Sequence, residues 1–204
     1  MNIKSLCLAV ATLFTIGMAS SAQASAITTV LSSDTPVVIA DFFAGTAGIG
    51  SATLNFLSHG RVIDIDALVD ITHTYDADLI ISLSHAGTTV LLSNRNGGSG
   101  GQNYTATVFD DAAAVAINAG YAYAPYNGAF KPEQALAAFV NQDAFGLWTL
   151  TVSDNEGGDT GTINSFGITA TVPEPGSFAL LGLGMLGFTA ARRASKPISR
   201  GTPE

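Results

Sequence analysis

The sequence predicts an all-β domain of the sandwich or jelly-roll type, with an apolar helix at each end of the chain. Three observations lead to this expectation. Apolar and acidic residues alternate strictly from Val62 to Ile71. Many other short apolar segments are separated by turns rich in glycine and asparagine. Two apolar stretches without internal charges lie near the two termini. Short strands with Gly-rich connections are typical of sandwiches and jelly rolls.

The clearest strand is the alternating segment from Val62 to Ile71. One face carries Ile63, Ile65, Ala67, Val69 and Ile71, and the other carries Asp64, Asp66 and Asp70. This two-residue period indicates a half-buried antiparallel strand with a solvated acidic face. Further strands are predicted at Leu79–Ser84, Thr88–Ser93, Tyr104–Phe109, Leu147–Ser153 and Ile163–Thr171, and weaker ones at Val37–Ala40 and Thr53–Leu57. The helical candidate within the domain is short, Pro132–Val140.

Residues 1–24 have the organisation of a secretory signal peptide. A short basic start, Met1–Lys4, precedes the apolar run Leu6–Met18, and Ala22 and Ala24 form the small-x-small pattern that signal peptidase cleaves. The run is shorter than the roughly 20 apolar residues that span a bilayer. We therefore predict a cleaved signal helix rather than a permanent anchor.

Residues 172–204 form a second, C-terminal signal. Pro173, Glu174 and Pro175 precede an apolar stretch, predicted to be a helix, and Arg192 and Arg193 follow it. This arrangement resembles the PEP-CTERM sorting signal. The resemblance implies removal of the tail by an exosortase in a Gram-negative bacterium, after transient anchoring of the apolar helix in the inner membrane. The chain continues to residue 204, whereas the family usually ends soon after the arginines.

The segment between the two signals, residues 25–171, has the length of one domain. It contains three basic and fourteen acidic residues, a net charge of −11 against −8 for the whole chain. Such an acidic domain lacks the basic patch that nucleic acids and anionic membrane surfaces require. The single cysteine, Cys7, lies in the signal segment, so we expect no disulfide in the exported domain.

Several ordered motifs in this segment resemble the P domain of proprotein convertases and bacterial subtilisin-like proteases. They are Ile71-Thr-His-Thr-Tyr-Asp-Ala-Asp-Leu79, Ser84-His-Ala-Gly-Thr88, Leu91-Leu-Ser-Asn-Arg95, the glycine-rich run 97–104, Phe109-Asp-Asp111, Gly146-Leu-Trp-Thr-Leu-Thr-Val-Ser-Asp154 and Gly158-Asp-Thr-Gly-Thr-Ile-Asn-Ser-Phe166. The resemblance covers about residues 62–171 and implies a jelly roll of about eight antiparallel strands. Such domains usually follow a subtilisin-type catalytic domain and stabilise it. Phe166 stands where the family often has tryptophan.

The sequence does not predict catalysis. A subtilisin-type site needs Ser, His and Asp beside an oxyanion hole, and neither Gly-Thr-Ser-Met-Ala nor Gly-x-Ser-x-Gly occurs. Too few residues separate the signal from the first matching strand for a catalytic domain, so we expect none. His73 is expected to pack at a strand edge, and His59 and His85 to be exposed in turns.

Five carboxylates that match the family lie at predicted strand ends and turns. They are Asp78, Asp110, Asp111, Asp154 and Asp159. Calcium prefers oxygen ligands from such loops, which makes a structural calcium ion one expectation. The alternative is that these residues cap turns through the backbone, as Asp commonly does. No zinc-ligand spacing occurs, and no cofactor is firmly implied.

A tyrosine cluster is the candidate contact surface. Tyr121, Tyr123 and Tyr126 lie in a predicted loop, where amphipathic rings suit contacts with a partner. The alternative is that they cover the open end of the sandwich. Trp148 alternates with Leu150 and Val152 and is expected in the core.

Three functions are compatible with these features. The leading one is a non-catalytic protein of the envelope or extracellular matrix that serves adhesion or matrix assembly. The second is an accessory P domain that stabilises a separately encoded subtilisin-like protease. The third is a carbohydrate-binding module, for example for an exopolysaccharide, and it depends on analogy between folds.

Overall fold

The structure, a computed structural model, describes residues 25–120 and 124–173. Ten β-strands and short 3₁₀ turns form this part of the chain, and no α-helix occurs within it. The strands are β1 (Ser25–Leu31), β2 (Val37–Ile39), β3 (Gly48–Phe56), β4 (Asp64–His73), β5 (Leu79–His85), β6 (Thr88–Asn94), β7 (Tyr104–Phe109), β8 (Tyr126–Phe130), β9 (Gly146–Asp154) and β10 (Gly161–Pro173). The all-β prediction is confirmed.

The strands form two sheets. The larger has the order β1-β10-β4-β7-β8, with the short β2 also paired to β10. The smaller has the order β3-β9-β5-β6. All pairings are antiparallel except β7–β8, which is parallel. A parallel pair needs a long crossover, and the segment between Phe109 and Tyr126 provides it.

One hydrophobic core joins the inward faces of both sheets, an arrangement consistent with a β-sandwich. Every second residue of β4 is buried, including Ile65, Ala67, Val69 and Ile71, as the alternation predicts. Ile63, predicted on the same face, precedes the strand and is 43% exposed. Trp148 is fully buried, and its indole Nε1 donates to the carbonyl of Ala144 at 2.9 Å. The prediction that this tryptophan belongs to the core is confirmed.

The predicted strands all occur, with ends shifted by a few residues. The last strand extends to Pro173, two residues beyond its predicted end. Proline is tolerated there because the last position of a strand needs no N–H in the ladder. The strands β1 and β8 were not predicted. In the case of β8, the segment Tyr-Asn-Gly-Ala-Phe is short and contains a glycine, which weakens its strand pattern. The helical candidate Pro132–Val140 contains a single 3₁₀ turn, Leu136–Phe139.

Several predictions lie outside the described residues. These are the signal segment 1–24, Glu174 and Pro175 of the sorting motif, the apolar stretch after them with Arg192 and Arg193, and the loop tyrosines 121 and 123. Within residues 25–120 and 124–173, no helix is long and apolar enough to cross a membrane.

Candidate functional site

His73 and Asp154 form a buried pair that joins the two sheets. His73 ends β4 and Asp154 ends β9, and their Nε2 and Oδ2 atoms lie 3.3 Å apart with both side chains inaccessible to solvent. The other ring nitrogen, Nδ1, lies 3.1 Å from the amide of Tyr75. A Cβ at Gly161 would lie 2.4 Å from the His73 ring. Only glycine therefore allows β10 to approach this histidine so closely. The expected packing role of His73 agrees with these contacts.

Acidic side chains gather around this pair. Asp78 is only 5% exposed, and its carboxylate accepts no hydrogen bond from any described residue. Burial and the neighbouring carboxylates of Asp154, Asp159 and Glu156 raise the pKa of Asp78. Asp159 accepts a hydrogen bond of 2.6 Å from the hydroxyl of Thr74. Three of the five predicted calcium ligands therefore lie at one end of the domain.

The other two predicted ligands, Asp110 and Asp111, lie at the opposite end of β4, with Asp64 and Asp66. Burial, followed by repulsion from Asp110, Asp64 and Asp111, raises the pKa of Asp66 to about 6. Because β4 has ten residues, its ends are roughly 30 Å apart. The expectation that the five carboxylates converge is therefore wrong.

Asp110 and Asp111 act as turn caps. The Oδ1 atom of Asp110 accepts from the amide of Ala112 at 2.6 Å. The two carboxylate oxygens of Asp111 accept from the amides of Leu136 and Ala137, at 2.9 and 2.8 Å, and so cap the 3₁₀ turn. These hydrogen bonds match the alternative expectation that Asp110 and Asp111 cap turns through the backbone. Among the described residues, no three His, Cys, Asp or Glu side chains are grouped as they would be around a metal ion.

A buried polar cluster lies beside the glycine-rich loop, and the sequence pattern did not reveal it. Asp76 is fully buried; its Oδ1 accepts from the amide of Asn103 at 2.8 Å, and its Oδ2 has no hydrogen-bond partner among the described residues. Burial raises the pKa of Asp76 to about 7. The hydroxyl of Tyr126 is also buried and has no hydrogen-bond partner within residues 25–120 and 124–173. Burial raises the pKa of this tyrosine to about 12, with Asp76 contributing.

Tyr126 therefore does not belong to an exposed contact surface, and this part of the prediction is wrong. Its ring stacks on Tyr104, with centroids 4.9 Å apart, because both tyrosines begin paired strands and point into the core. The hydroxyl of Tyr104 lies 2.8 Å from that of Ser93, and Asn96 connects Ser93 to Glu133. The signal that distinguishes Tyr126 is its position in β8, which the sequence pattern did not predict.

An exposed aromatic pair lies where β9 begins. The rings of His59 and Phe145 stack with centroids 4.0 Å apart at 15°. The carboxylate of Asp143 holds the pair: its Oδ2 lies 2.8 Å from Nδ1 of His59, and its Oδ1 accepts from the amides of Gly60 and Phe145. The hydrogen bond to His59, together with the two amides, lowers the pKa of Asp143 to about 2. His59 is exposed, as predicted.

His85 contradicts the prediction of exposure. It is only 4% exposed, and its two ring nitrogens lie 2.9 and 2.8 Å from the carbonyls of Leu147 and Asp143. His85 is the last residue of β5 and pairs with the buried Trp148 of β9. Its ring therefore stacks on the indole and is buried with it. Within the described ranges, none of the three histidines contacts a Ser or Thr hydroxyl. Among the described residues, no histidine is therefore paired with a Ser or Thr nucleophile.

A groove of about 330 Å³ lies on the larger sheet and is mostly apolar. Irregular pairing of β4 with β7 and β10 surrounds it. The one ionisable residue in its lining, Asp70, has both oxygens bonded, to the amide of Ala106 at 3.2 Å and to the side chain of Asn164 at 2.8 Å. The groove thus offers no free acid or base for chemistry.

Two family models match the chain. Residues 62–170 match the proprotein convertase P-domain, and residues 171–194 match the PEP-CTERM protein-sorting motif. No curated protein matches.

Solved structures that resemble the chain at low similarity include two of a serine protease. One is the complex of the Aeromonas sobria serine protease with the chaperone ORF2, at 17% identity and a TM-score of 0.46, covering 74% of this chain and 27% of that chain. The other is the serine protease of Aeromonas sobria, at 15% identity and a TM-score of 0.44, covering 73% and 27%. The chain spans about a quarter of the length of each. The family match covers more than half of the chain, which therefore belongs to the proprotein convertase P-domain family and carries a PEP-CTERM sorting motif.

Proposed function

We propose that this chain is an exported, non-catalytic P-domain protein of the bacterial envelope or extracellular matrix, sorted by an exosortase. The observation that carries the proposal is the order of the two matches, since the P-domain at 62–170 is followed directly by the sorting motif at 171–194. A signal peptidase and the exosortase act on the two ends. What reaches the surface is the two-sheet domain, a jelly roll in this proposal.

The described histidines and the groove support a binding role over a catalytic one. His73 and His85 are buried with both ring nitrogens close to hydrogen-bonding partners, and His59 is bonded to Asp143. A general base must reach the proton of a nucleophile within hydrogen-bond distance. We expect the purified full chain to cleave neither casein nor a mixed peptide library. Cleavage that survives removal of contaminating proteases would contradict the non-catalytic reading.

Sorting is tested by replacing Pro173, Glu174 and Pro175 together with alanine in the native host. We expect the variant to accumulate unprocessed in the inner membrane, whereas the unmodified chain is shortened and appears in the outer envelope or the medium. Pro197→Ala, which removes a proline of the tail outside the motif, is the matched control. Equal processing of the triple variant and the control would reject exosortase sorting.

A second candidate function follows from the family itself, which is described by its association with proprotein convertases. In this alternative the chain stabilises a separately encoded subtilisin-like protease. Cross-linking in the native envelope, followed by identification of the captured protein, distinguishes the two. Recovery of one stoichiometric protease would favour the accessory role over the matrix role.

The calcium proposal narrows to the end of the domain that holds Asp78, Asp154 and Asp159. Asp78 has a carboxylate without a hydrogen bond from any described residue and three acidic neighbours. Because these three carboxylates are not grouped as a ready-made metal site among the described residues, a calcium ion at Asp78 would draw most of its oxygen ligands from backbone carbonyls and water, as calcium commonly does. Its role would be structural, because no nucleophile is assembled beside it.

A further inference from the structure

We propose that the outer face of the four-stranded sheet, together with the adjoining His59–Phe145 pair, binds a neutral polysaccharide. This inference rests on the proposed function, in which the exported domain acts in the envelope or matrix. It names the surface and the chemical class of the partner. It differs from the tyrosine surface considered from the sequence, since Tyr126 is buried.

The strand register places hydroxyl groups side by side across the whole sheet. Thr53 pairs with Thr149, Thr149 with Ser84, and Ser84 with Thr89, so that one row carries a hydroxyl on each of the four strands. The hydroxyls of Ser84 and Thr89 lie 2.8 Å apart. Neighbouring strands are about 4.8 Å apart, so the row is a closely spaced line of donors and acceptors.

A second row lies two residues further along each strand. Ser51 pairs with Thr151 and Thr151 with Ser82, and Leu91 completes the row on β6. The hydroxyls of Ser51 and Thr151 lie 3.5 Å apart. Because side chains on one face recur every second residue, the two rows are roughly 6.8 Å apart. Together they form a two-dimensional array of hydroxyls, which we call the hydroxyl face.

The hydroxyl face carries no formal charge, although residues 25–171 have a net charge of −11. The larger sheet differs, because its β4 presents Asp64, Asp66 and Asp70 outwards. The Asp34 carboxylate lies at the β3 edge of the hydroxyl face and is engaged by the amide and the hydroxyl of Thr53. These acidic groups thus lie on the other sheet or at an edge, and Asp154 lies buried at the end of β9, outside the two hydroxyl rows.

Each edge strand of this sheet is engaged by a neighbouring segment at one point, whereas its flat face is open to a partner. Asp34 covers the edge of β3 at Thr53. On the other edge, the amide of Leu91 donates to the side chain of Gln134, and the amide of Gln134 donates to the carbonyl of Leu91. A partner that adds a strand to the sheet would need these backbone groups. Recognition through the face requires none of them.

The aromatic pair extends the hydroxyl face at the start of β9. Phe145 immediately precedes β9 and is 45% exposed, and Leu147, two residues on, is 52% exposed. His59 stacks on Phe145 and is fixed by Asp143, so the two rings are held in place before any ligand arrives. A rigid, exposed ring offers an apolar face against which a sugar ring can pack, at little cost in conformational entropy.

These properties together favour a neutral polysaccharide. Its hydroxyls can donate to and accept from the array. An apolar partner would instead bury the Ser and Thr hydroxyls on binding and leave their hydrogen bonds unsatisfied. A polyanion would be repelled by the acidic domain. A repeating polymer also suits a repeating array, because several weak contacts add through multivalency.

Affinity electrophoresis of the full chain tests the proposal, with the protein in a non-glycosidic detergent. The gels contain dextran, hydroxyethyl cellulose or galactomannan as neutral probes, and alginate as the acidic comparison. We expect retardation by at least one neutral polymer and none by alginate. In the double variant Ser51→Lys and Thr89→Lys, and separately in Phe145→Ala, the affinity should fall at least about tenfold, or about 1.4 kcal/mol.

The matched control places two lysines on exposed positions of the larger sheet, Ile27→Lys and Val38→Lys, which are 74% and 73% exposed in the unmodified chain. We expect the control to keep its affinity, and circular dichroism to show that all variants are folded. Absence of retardation by every neutral polymer, or equal losses in the face variants and the control, would overturn the proposal. Such a result would leave the sorting experiment unaffected, so failure of this inference and failure of the proposed function are distinguishable.

Discussion

The imidazole of His85 lies flat on the indole of Trp148, with ring centroids 3.9 Å apart and an interplanar angle of 2°. The same ring lies within hydrogen-bond distance of the carbonyls of Leu147 and Asp143. Phe139 meets the indole edge-on at 5.0 Å. A single side chain at the end of β5 thus joins the aromatic core to the turn that precedes β9.

Replacement of His85 should therefore destabilise the domain strongly. We expect His85→Ala to lower the free energy of unfolding by about 3 kcal/mol, because it leaves a cavity beside Trp148 and removes the imidazole that contacts the partly buried carbonyls of Leu147 and Asp143. Urea denaturation followed by tryptophan fluorescence measures this change. His59→Ala, at an exposed histidine, should change stability by less than about 0.5 kcal/mol. Similar losses for the two variants would show that His85 has no special role.

The sequence predicted those elements whose periodicity is local. The alternation in β4 identified Ile65, Ala67, Val69 and Ile71 as core residues, and the ordered motifs identified the family. The environment of His85 could not be predicted in this way, because it depends on the pairing of β5 with β9, more than 60 residues apart in the chain.

The candidate site shows the same limit. Local sequence marked Asp78 and Asp111 equally, as acidic residues in turns. Only the fold separates them, because Asp78 meets three acidic neighbours and Asp111 meets two backbone amides of a distant turn. Likewise, β-propensity cannot show that serines and threonines of four strands will align in register. That alignment is a property of the sheet as a whole.

Asp111 should contribute to stability as a cap rather than as a metal ligand. Asp111→Ala leaves the amides of Leu136 and Ala137 without acceptors, so we expect a loss of about 1 kcal/mol in the free energy of unfolding. The loss should be the same with calcium and with a chelator, as measured by urea denaturation. Asp111→Asn, which keeps one acceptor oxygen, should recover part of it. A loss that disappears on chelation would indicate a metal instead.

Asp76 should make stability fall as the pH rises. Burial raises its folded-state pKa from an ordinary 3.8 to about 7, so the folded chain binds more protons than the unfolded chain between these values. Stability contributed by the protonated carboxyl is therefore lost between about pH 4 and pH 7. Asp76→Asn removes this contribution. We expect the variant to be more stable than the unmodified chain by up to about 4 kcal/mol at pH 8, and to have no such advantage at pH 4.

Denaturation curves at several pH values measure the effect of Asp76. Asp66, whose pKa burial raises to about 6, titrates in the same window and should leave a residual slope in the variant. Tyr126→Phe removes the other unpartnered polar atom of the cluster without removing a carboxylate. We expect its stability to follow the pH dependence of the unmodified chain. Parallel curves for the unmodified chain and Asp76→Asn would show that Asp76 is ionised in the folded state throughout.

Asp78 provides the test of the calcium proposal. Burial and repulsion from Asp154, Asp159 and Glu156 disfavour its ionised form, and a bound divalent cation would relieve this repulsion. We expect millimolar calcium to raise the melting temperature of the unmodified chain and a chelator to lower it again. Asp78→Asn should be more stable than the unmodified chain without calcium and insensitive to added calcium. Asp110→Asn, at the opposite end of β4, should keep the full calcium response. A melting temperature that neither calcium nor the chelator changes would exclude a structural calcium ion, and contacts such as the His73–Asp154 pair and the Thr74–Asp159 hydrogen bond would then stabilise the acidic end without metal.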